Sequence, residues 1–262
     1  MHALFRLLSP THSPVVRQRE QVAFTLADGR RIDVLRVRDP RARRIKLSVD
    51  ERGARLTLPL RASLAAGDRF VHDHGDWLQQ QLDLHVRHAA PALIVGQTMA
   101  LPLRGEDAPL TWQTARATRL DFDAAGQLCF RFPASAGQAA VERALRDFYE
   151  AQGRADLGRW LPRYLPGLPR APRRFTFKRT TGQWGSLAHD GSLSLDLALL
   201  LARPRAFEYV LVHELCHLLQ ANHSPRFWRE VEARYPGWRD EREYLRHEGR
   251  GLKSRLRALL AG

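Results

Sequence analysis

The chain has 262 residues, 44% of them hydrophobic, and carries 42 Lys and Arg against 28 Asp and Glu, for a formal charge of +14. That length can bury a full core, as one large domain or two small ones. Two cysteines in unlike contexts exclude a disulfide framework, and the absence of any run near about eighteen apolar residues excludes a membrane-spanning helix; both fit a cytoplasmic protein.

The charge has two readings. An excess of this size suits an acidic partner, so nucleic acid and nucleotides stay open as partners beside a protein substrate. Lys occurs only at positions 46, 178 and 253, however, so the excess is almost wholly arginine, as a biased base composition would also give. The apolar run at the N-terminus is too short for a signal peptide. Residues 1–20, with Pro10 and Pro14, read as a loose tail.

From Val22 to Leu60 the pattern alternates as in strands. The Asp28-Gly29 pair marks one hairpin, and the Asp50–Gly53 turn a second. Between them Arg38, Arg41, Arg43 and Arg44 form a basic loop, either solvated or a phosphate patch. Ser63 then caps one long helix running to about His88, with Phe70, Trp77, Leu78 and Leu82 inward. Its histidines, His72, His74, His85 and His88, lack the carboxylate or Cys pattern of a second metal site. Short strands return from Leu93 to Phe132, with turns at Gly96, Gly105 and Gly126 and no repeat in the residues. A helix follows from Gln138 to Leu161, then a Pro-rich connection, a strand over Arg173–Lys178, and a hairpin of 184–187 with 192–197.

The densest chemistry begins at Val210. His213 and His217 are four apart, which on a helix stacks their imidazoles on one face, roughly 5–6 Å between β-carbons. Glu214 points aside from that pair. This is the H-E-x-x-H pattern, in which two His hold a metal and the Glu is general base to a water. Pro204 opens the helix, and Phe207, Val210, Leu211, Leu215, Leu218 and Leu219 make it a core element. His223 lies six residues past His217, the third-ligand spacing of the metzincins, but Gln220 stands where their turn has Gly. Asn222, which tolerates the left-handed region, is expected to make the turn instead. Ser224-Pro225 reads as an N-cap and first position of the next helix, carrying Phe227 and Trp228. Trp228 is expected to pack behind the metal, and Tyr209 and Tyr244 in the core, although either can offer an O–H to an oxyanion. Cys216 is off the ligand face and reads as packing.

The segment H-E-L-C-H-L-x-x-x-N-H-S-x-x-F-W from His213 to Trp228 resembles the YgjP-like metallopeptidase family, related to the SprT-type zincins. Gln183-Trp184-Gly185-Ser186 and Gly191–Leu195 are similar to two further segments of that family. Gln183, Leu187 and Asp196 stand where those segments carry Arg, Cys and Asn. The resemblance implies an α+β fold. Its zincin-like catalytic region, an HExxH helix beside a small antiparallel sheet, follows a β-rich N-terminal region with one long helix. The expected divisions are a tail over 1–20, the β-rich region over 21–135, the metallopeptidase region over 136–246 and a basic tail over 247–262. It implies one Zn²⁺ per chain on His213, His217 and His223, Glu214 as catalytic base, and a peptide or protein substrate beside Trp184, Gly185 and Ser186. A nucleotide phosphoanhydride hydrolase and a nucleic-acid-associated SprT-like protease are the alternatives. No Gly-rich phosphate loop or Mg²⁺-type carboxylate cluster supports the first.

Overall fold

The computed structural model describes residues 18–26, 28–50, 53–87, 92–180 and 182–260. Its elements are mixed α+β, and the chain divides into two compact units, residues 1–87 and 88–262.

In the first unit, alternation of apolar and polar residues makes four strands: β1 (Gln18–Thr25), β2 (Arg31–Arg38), β3 (Lys46–Asp50) and β4 (Gly53–Leu58). They lie in the order β1-β2-β4-β3; both hairpins are antiparallel, and β2 pairs parallel with β4. Phe24, Val34, Leu56 and Leu58 turn to one face and bury against Val71 and Leu78. Those last two come from α1 (Leu64–Asp73) and α2 (Gly75–Arg87), where a single helix was expected. Ser63 Oγ caps the first by accepting from the Ala66 N–H. The break falls at His74, whose Nδ1 bonds the Phe70 carbonyl and whose neighbour is Gly75, a weak helix former. Trp77 falls on the exposed side, contrary to expectation. His72 lies edge-on to Phe24, and His88 lies outside the described residues. Strand β1 takes in residues 18–20 of the expected tail.

The second unit repeats that topology. Strands β5 (Ala100–Leu103), β6 (Glu106–Thr114), β7 (Arg119–Phe122) and β8 (Leu128–Phe132) lie in the order β5-β6-β8-β7, again two antiparallel hairpins joined by a parallel pair. Leu93–Val95, expected as a strand, is irregular. The long helix α3 (Gln138–Tyr164) packs Val141, Leu145, Phe148 and Tyr149 inward. It outlasts the expected end by a turn, because Pro162 sits near the C-terminus, where little of the hydrogen-bond ladder remains to break.

Three short strands follow: β9 (Arg174–Lys178), β10 (Gly185–Leu187) and β11 (Ser192–Asp196), in the order β10-β11-β9. The expected antiparallel sheet is mixed, since β9 runs parallel to β11 and only β10 and β11 are antiparallel. Strand β10 is therefore an edge. A 3₁₀ turn over Leu197–Leu200 leads to α4 (Pro204–Cys216), followed by α5 (Pro225–Arg234) and α6 (Trp238–Leu259). One core joins Leu101, Leu110 and Phe130 to Leu145, Leu211 and Leu215. The expected division at 135/136 thus falls inside a continuous core. Residues 247–259 of the expected tail instead continue α6, where Leu256 and Leu259 are buried, and residues 261 and 262 lie outside the described residues. Among the described residues no helix is long and apolar enough to cross a membrane.

Candidate metal centre and its cleft

The centre is set by how α4 ends. Ala206, Phe207, Leu211, Val212 and Leu215 are buried around α4, each contributing up to roughly 1.5–3 kcal/mol for a large side chain. That burial fixes the rotation of the helix. His213 lies in its last turn, and His217 is the C-cap, still right-handed at φ −67° and ψ −16°, so the four-residue stacking survives past the helix end. The return to His223 is made by successive tight turns, the Gln220 N–H donating to the Cys216 carbonyl at 3.0 Å. Asn222 does not take the left-handed conformation expected of it; among the described residues only Arg104 does so without being glycine. Ser224 caps α5 with Pro225 in its first turn, as the residues predict.

These turns bring His213, His217 and His223 together, with one ligand nitrogen from each lying within 4.8 Å of the others. His213 Nε2 and His223 Nε2 are 3.0 Å apart. His217 Nδ1 bonds the Gln220 carbonyl at 3.1 Å, which orients the ring and leaves Nε2 for the cluster. Phe227, fully buried, lies under all three imidazoles with ring centres 4.6–4.9 Å away. Trp228 stacks on His223 at 28° and packs on Trp238, so it supports the third imidazole from the side. Burial, with the other two rings and Arg242 adding to it, pushes the His213 pKa down to about 3, so this imidazole stays neutral as a ligand must. Its Nδ1 is buried without a hydrogen-bond partner among the described residues.

The donor set fits a zinc-type ion. Three imidazole nitrogens suit Zn²⁺ better than the oxygen-seeking Mg²⁺ or Ca²⁺, and they leave a fourth tetrahedral position. No other cluster of this kind occurs among the described residues. Glu230 and Glu232, acids downstream on α5, are engaged elsewhere, with Arg234 and with Trp238 and Arg239.

Glu214 points from the same turn toward β10. It is only 6% exposed, and burial pushes its pKa up to about 7, against a downward pull from the Leu187 N–H that bonds its carboxylate. A cavity of about 1360 Å³ opens over the cluster and is lined by His213, Glu214, His217 and His223 on one side and Trp184, Gly185 and Ser186 on the other. All seven residues singled out in the sequence meet there. Cys216 is buried, its thiol pushed up to about 11, and lies off the ligand face.

Two features of the cleft, Arg242 and Lys253, escaped the sequence reading. Tyr209 is buried in the core, as expected, and also lines the cavity one turn before His213; its hydroxyl has no partner among the described residues. Tyr244 is engaged instead, accepting from the Arg203 N–H under the Arg203 guanidinium. Arg242 also lines the cavity, from α6. Lys253, further along α6, donates to the carbonyls of Thr180 and Gln183, contacts Asp196 Oδ2 at 3.1 Å and lies 4.4 Å from the centre of the Trp184 ring. A basic stretch late in a weakly patterned helix gives no sequence signal for that contact.

A family model described as YgjP-like, metallopeptidase domain, matches residues 43–248. Among solved structures the chain is similar to the metallopeptidase zymogen of Pyrococcus abyssi abylysin, at 23% identity over 39% of this chain and 93% of that one, with a TM-score of 0.29. No curated protein matches it. The family match takes in more than half of the residues, including the whole His213–Trp228 segment, and the chain belongs to the YgjP-like metallopeptidases, a family of metal-dependent peptidases.

Proposed function

We propose that the protein is a zinc-dependent peptidase in which His213, His217 and His223 hold one Zn²⁺ and Glu214 is the general base. The observation that carries this reading is the convergence of three imidazoles and one buried carboxyl on a cavity edged by β10. When bound, the ion lowers the pKa of a water to about 7 and polarises a carbonyl.

The chain's own residues supply the rest. The unpaired edge of β10 is suited to hold an extended peptide by main-chain hydrogen bonds, with Trp184 and Ser186 beside it. Glu214 takes the proton of the attacking water on its carboxylate as the oxygen bonds to the scissile carbon. It returns that proton to the nitrogen as the C–N bond breaks. Its buried position keeps its proton affinity near neutrality, where a base accepts and releases most effectively. The Tyr209 side chain lines the cavity, and its hydroxyl, unpartnered among the described residues, donates to the carbonyl oxygen as charge develops there.

The test is peptide hydrolysis by the zinc-loaded protein beside Glu214→Gln. Cleavage by the wild type, with the variant keeping its metal and losing activity by more than roughly a hundredfold, supports the assignment. An active variant overturns it.

A further inference from the structure

We infer that Arg242 selects the substrate, and that the preferred peptides carry a carboxylate close to the scissile bond. This rests on the peptidase reading and names its substrate class.

Four arginines line the cleft: Arg170, Arg239, Arg242 and Arg246. Three are engaged. Arg170 donates to the His189 carbonyl at 3.0 Å, Arg239 to Glu232 at 2.5 Å, and Arg246 to Glu243 at 3.0 Å. Arg242 instead faces the rings of Trp228 and Trp238, its Cζ 5.0 and 5.9 Å from their centres, and no carboxylate among the described residues is within ion-pairing distance of it. Of the carboxyls lining the cleft, Glu243 is bound to Arg246 and His247, and Glu214 is turned toward Gly185. Among the described residues Arg242 is therefore the one guanidinium of the four with no hydrogen-bond or ion-pair partner.

Stacking on indole orients a guanidinium and desolvates its face while leaving its rim of N–H donors open. That rim matches a carboxylate, which accepts two parallel bonds from it. The position is close to the reacting centre. Trp228, under Arg242, itself stacks on His223 with ring centres 5.8 Å apart, and the charge of Arg242 is felt at both His213 and Tyr209. Two ring contacts in series place the guanidinium within about three residues of extended chain from the third imidazole. A carboxylate there is either an acidic side chain beside the scissile bond or the C-terminus of a short product.

The experiment uses Glu214→Gln to prevent turnover and reads binding from tryptophan fluorescence, since Trp228 and Trp238 lie under Arg242. The probes are three peptides of one length: neutral with an amidated C-terminus, the same with one internal Glu, and neutral with a free C-terminus. The expected result is that one or both carboxylate peptides bind roughly tenfold more tightly than the neutral amide. That preference falls to about twofold or less when Arg242→Gln is added and is partly kept by Arg242→Lys. The tighter of the two identifies the source of the carboxylate. Equal binding of all three peptides, or a preference that survives Arg242→Gln, overturns the proposal. So does a nucleoside triphosphate that competes more tightly than either carboxylate peptide and depends on Arg242. Wild-type cleavage of the same peptides is scored separately: selective binding with no cleavage overturns the peptidase reading, and cleavage without selectivity overturns only the role of Arg242.

Discussion

A Cβ built on Gly185 would stand 2.6 Å from both Cγ and Oε1 of Glu214. Strand β10 and the metal helix approach so closely at this point that the carboxyl occupies the space a side chain would need. Glu214 has little room to yield, because it is buried and its carboxylate is held by the Leu187 N–H. Gly185→Ala should displace the carboxyl by an ångström or so and lower kcat/KM by about a hundredfold. Metal content should not change, because the atoms nearest a Cβ at Gly185 all belong to Glu214 and none to an imidazole. Steady-state kinetics beside elemental analysis checks this; full activity in the variant would mean that the position of Glu214 is not critical.

The three imidazoles should hold about one zinc per chain. His223 is the ligand supplied from beyond the turn that follows α4, so His223→Ala leaves two nitrogens and should reduce the bound zinc sharply after dialysis, with the fold retained. Elemental analysis of wild type and variant decides the matter. Full retention by the variant would place the third ligand elsewhere, although the acids on α5 are already engaged with Arg234, Trp238 and Arg239.

Burial of Glu214 also predicts a pH dependence of stability in the metal-free protein. The carboxyl titrates near 4.5 in the unfolded chain and at about 7 in the folded one. Between those values the folded state holds a proton that the unfolded state has released, so stability from this group is lost as pH rises through the window. Glu214→Gln removes the group, and metal-free Glu214→Gln should gain on wild type by up to about 3 kcal/mol between pH 4.5 and 8. His213 acts in the opposite direction, because its pKa falls from 6.5 to about 3 on folding. It is present in both proteins and cancels in the comparison. Denaturant titrations at the two pH values test this, and a difference independent of pH would count against it.

Tyr209 gives a narrower expectation. If its hydroxyl donates to the carbonyl oxygen only as charge develops, Tyr209→Phe should lower kcat by roughly a hundredfold and leave KM nearly unchanged. A loss confined to KM would make Tyr209 a binding residue instead.

The metal centre was legible because its logic is local. The i, i+4 pair, the acid between, the cap at Ser224 and Pro225 depend on helix geometry within a dozen residues, and each is found where the spacing places it. Even there the turn was misassigned: Asn222 is not left-handed, since short 3₁₀-type bonds from Leu215 and Cys216 bend the chain without it. Burial of Gly185 against Glu214 is a contact between residues 29 apart, readable only as a glycine beside a Trp. The break at His74 escaped because a side chain competing for the Phe70 carbonyl leaves no trace in apolar periodicity. The repeated sheet order was invisible for a different reason: it is a regularity of strand pairing, and the residues of the two sheets show no matching repeat.

Lys253 is the clearest contact set by tertiary structure, and it lies beyond the family match, which ends at residue 248. Its ammonium stands 3.1 Å from the carboxylate of Asp196, which is 1% exposed, and it donates to the carbonyls of Thr180 and Gln183 at the approach to β10. One turn earlier Gly249 lets Trp184 lie against α6, since a Cβ there would come within 2.6 Å of its ring. Burial lowers the Lys253 pKa, and Asp196 offsets part of that cost. Lys253→Met should leave Asp196 buried with its charge uncompensated. Such a loss commonly costs about 3–5 kcal/mol, but Asp196 still accepts from Thr180 and Ala198, so about 2 kcal/mol is expected. Asp196→Asn added to Lys253→Met removes the orphaned charge and should restore part of that loss, because its one amide oxygen can accept from only one of the two N–H groups, Thr180 at Oδ2 and Ala198 at Oδ1. Thermal or denaturant unfolding of the single and double variants measures it. A neutral Lys253→Met, or a double variant no better than the single, would show that the pair does not hold the Trp184 wall of the cleft in place.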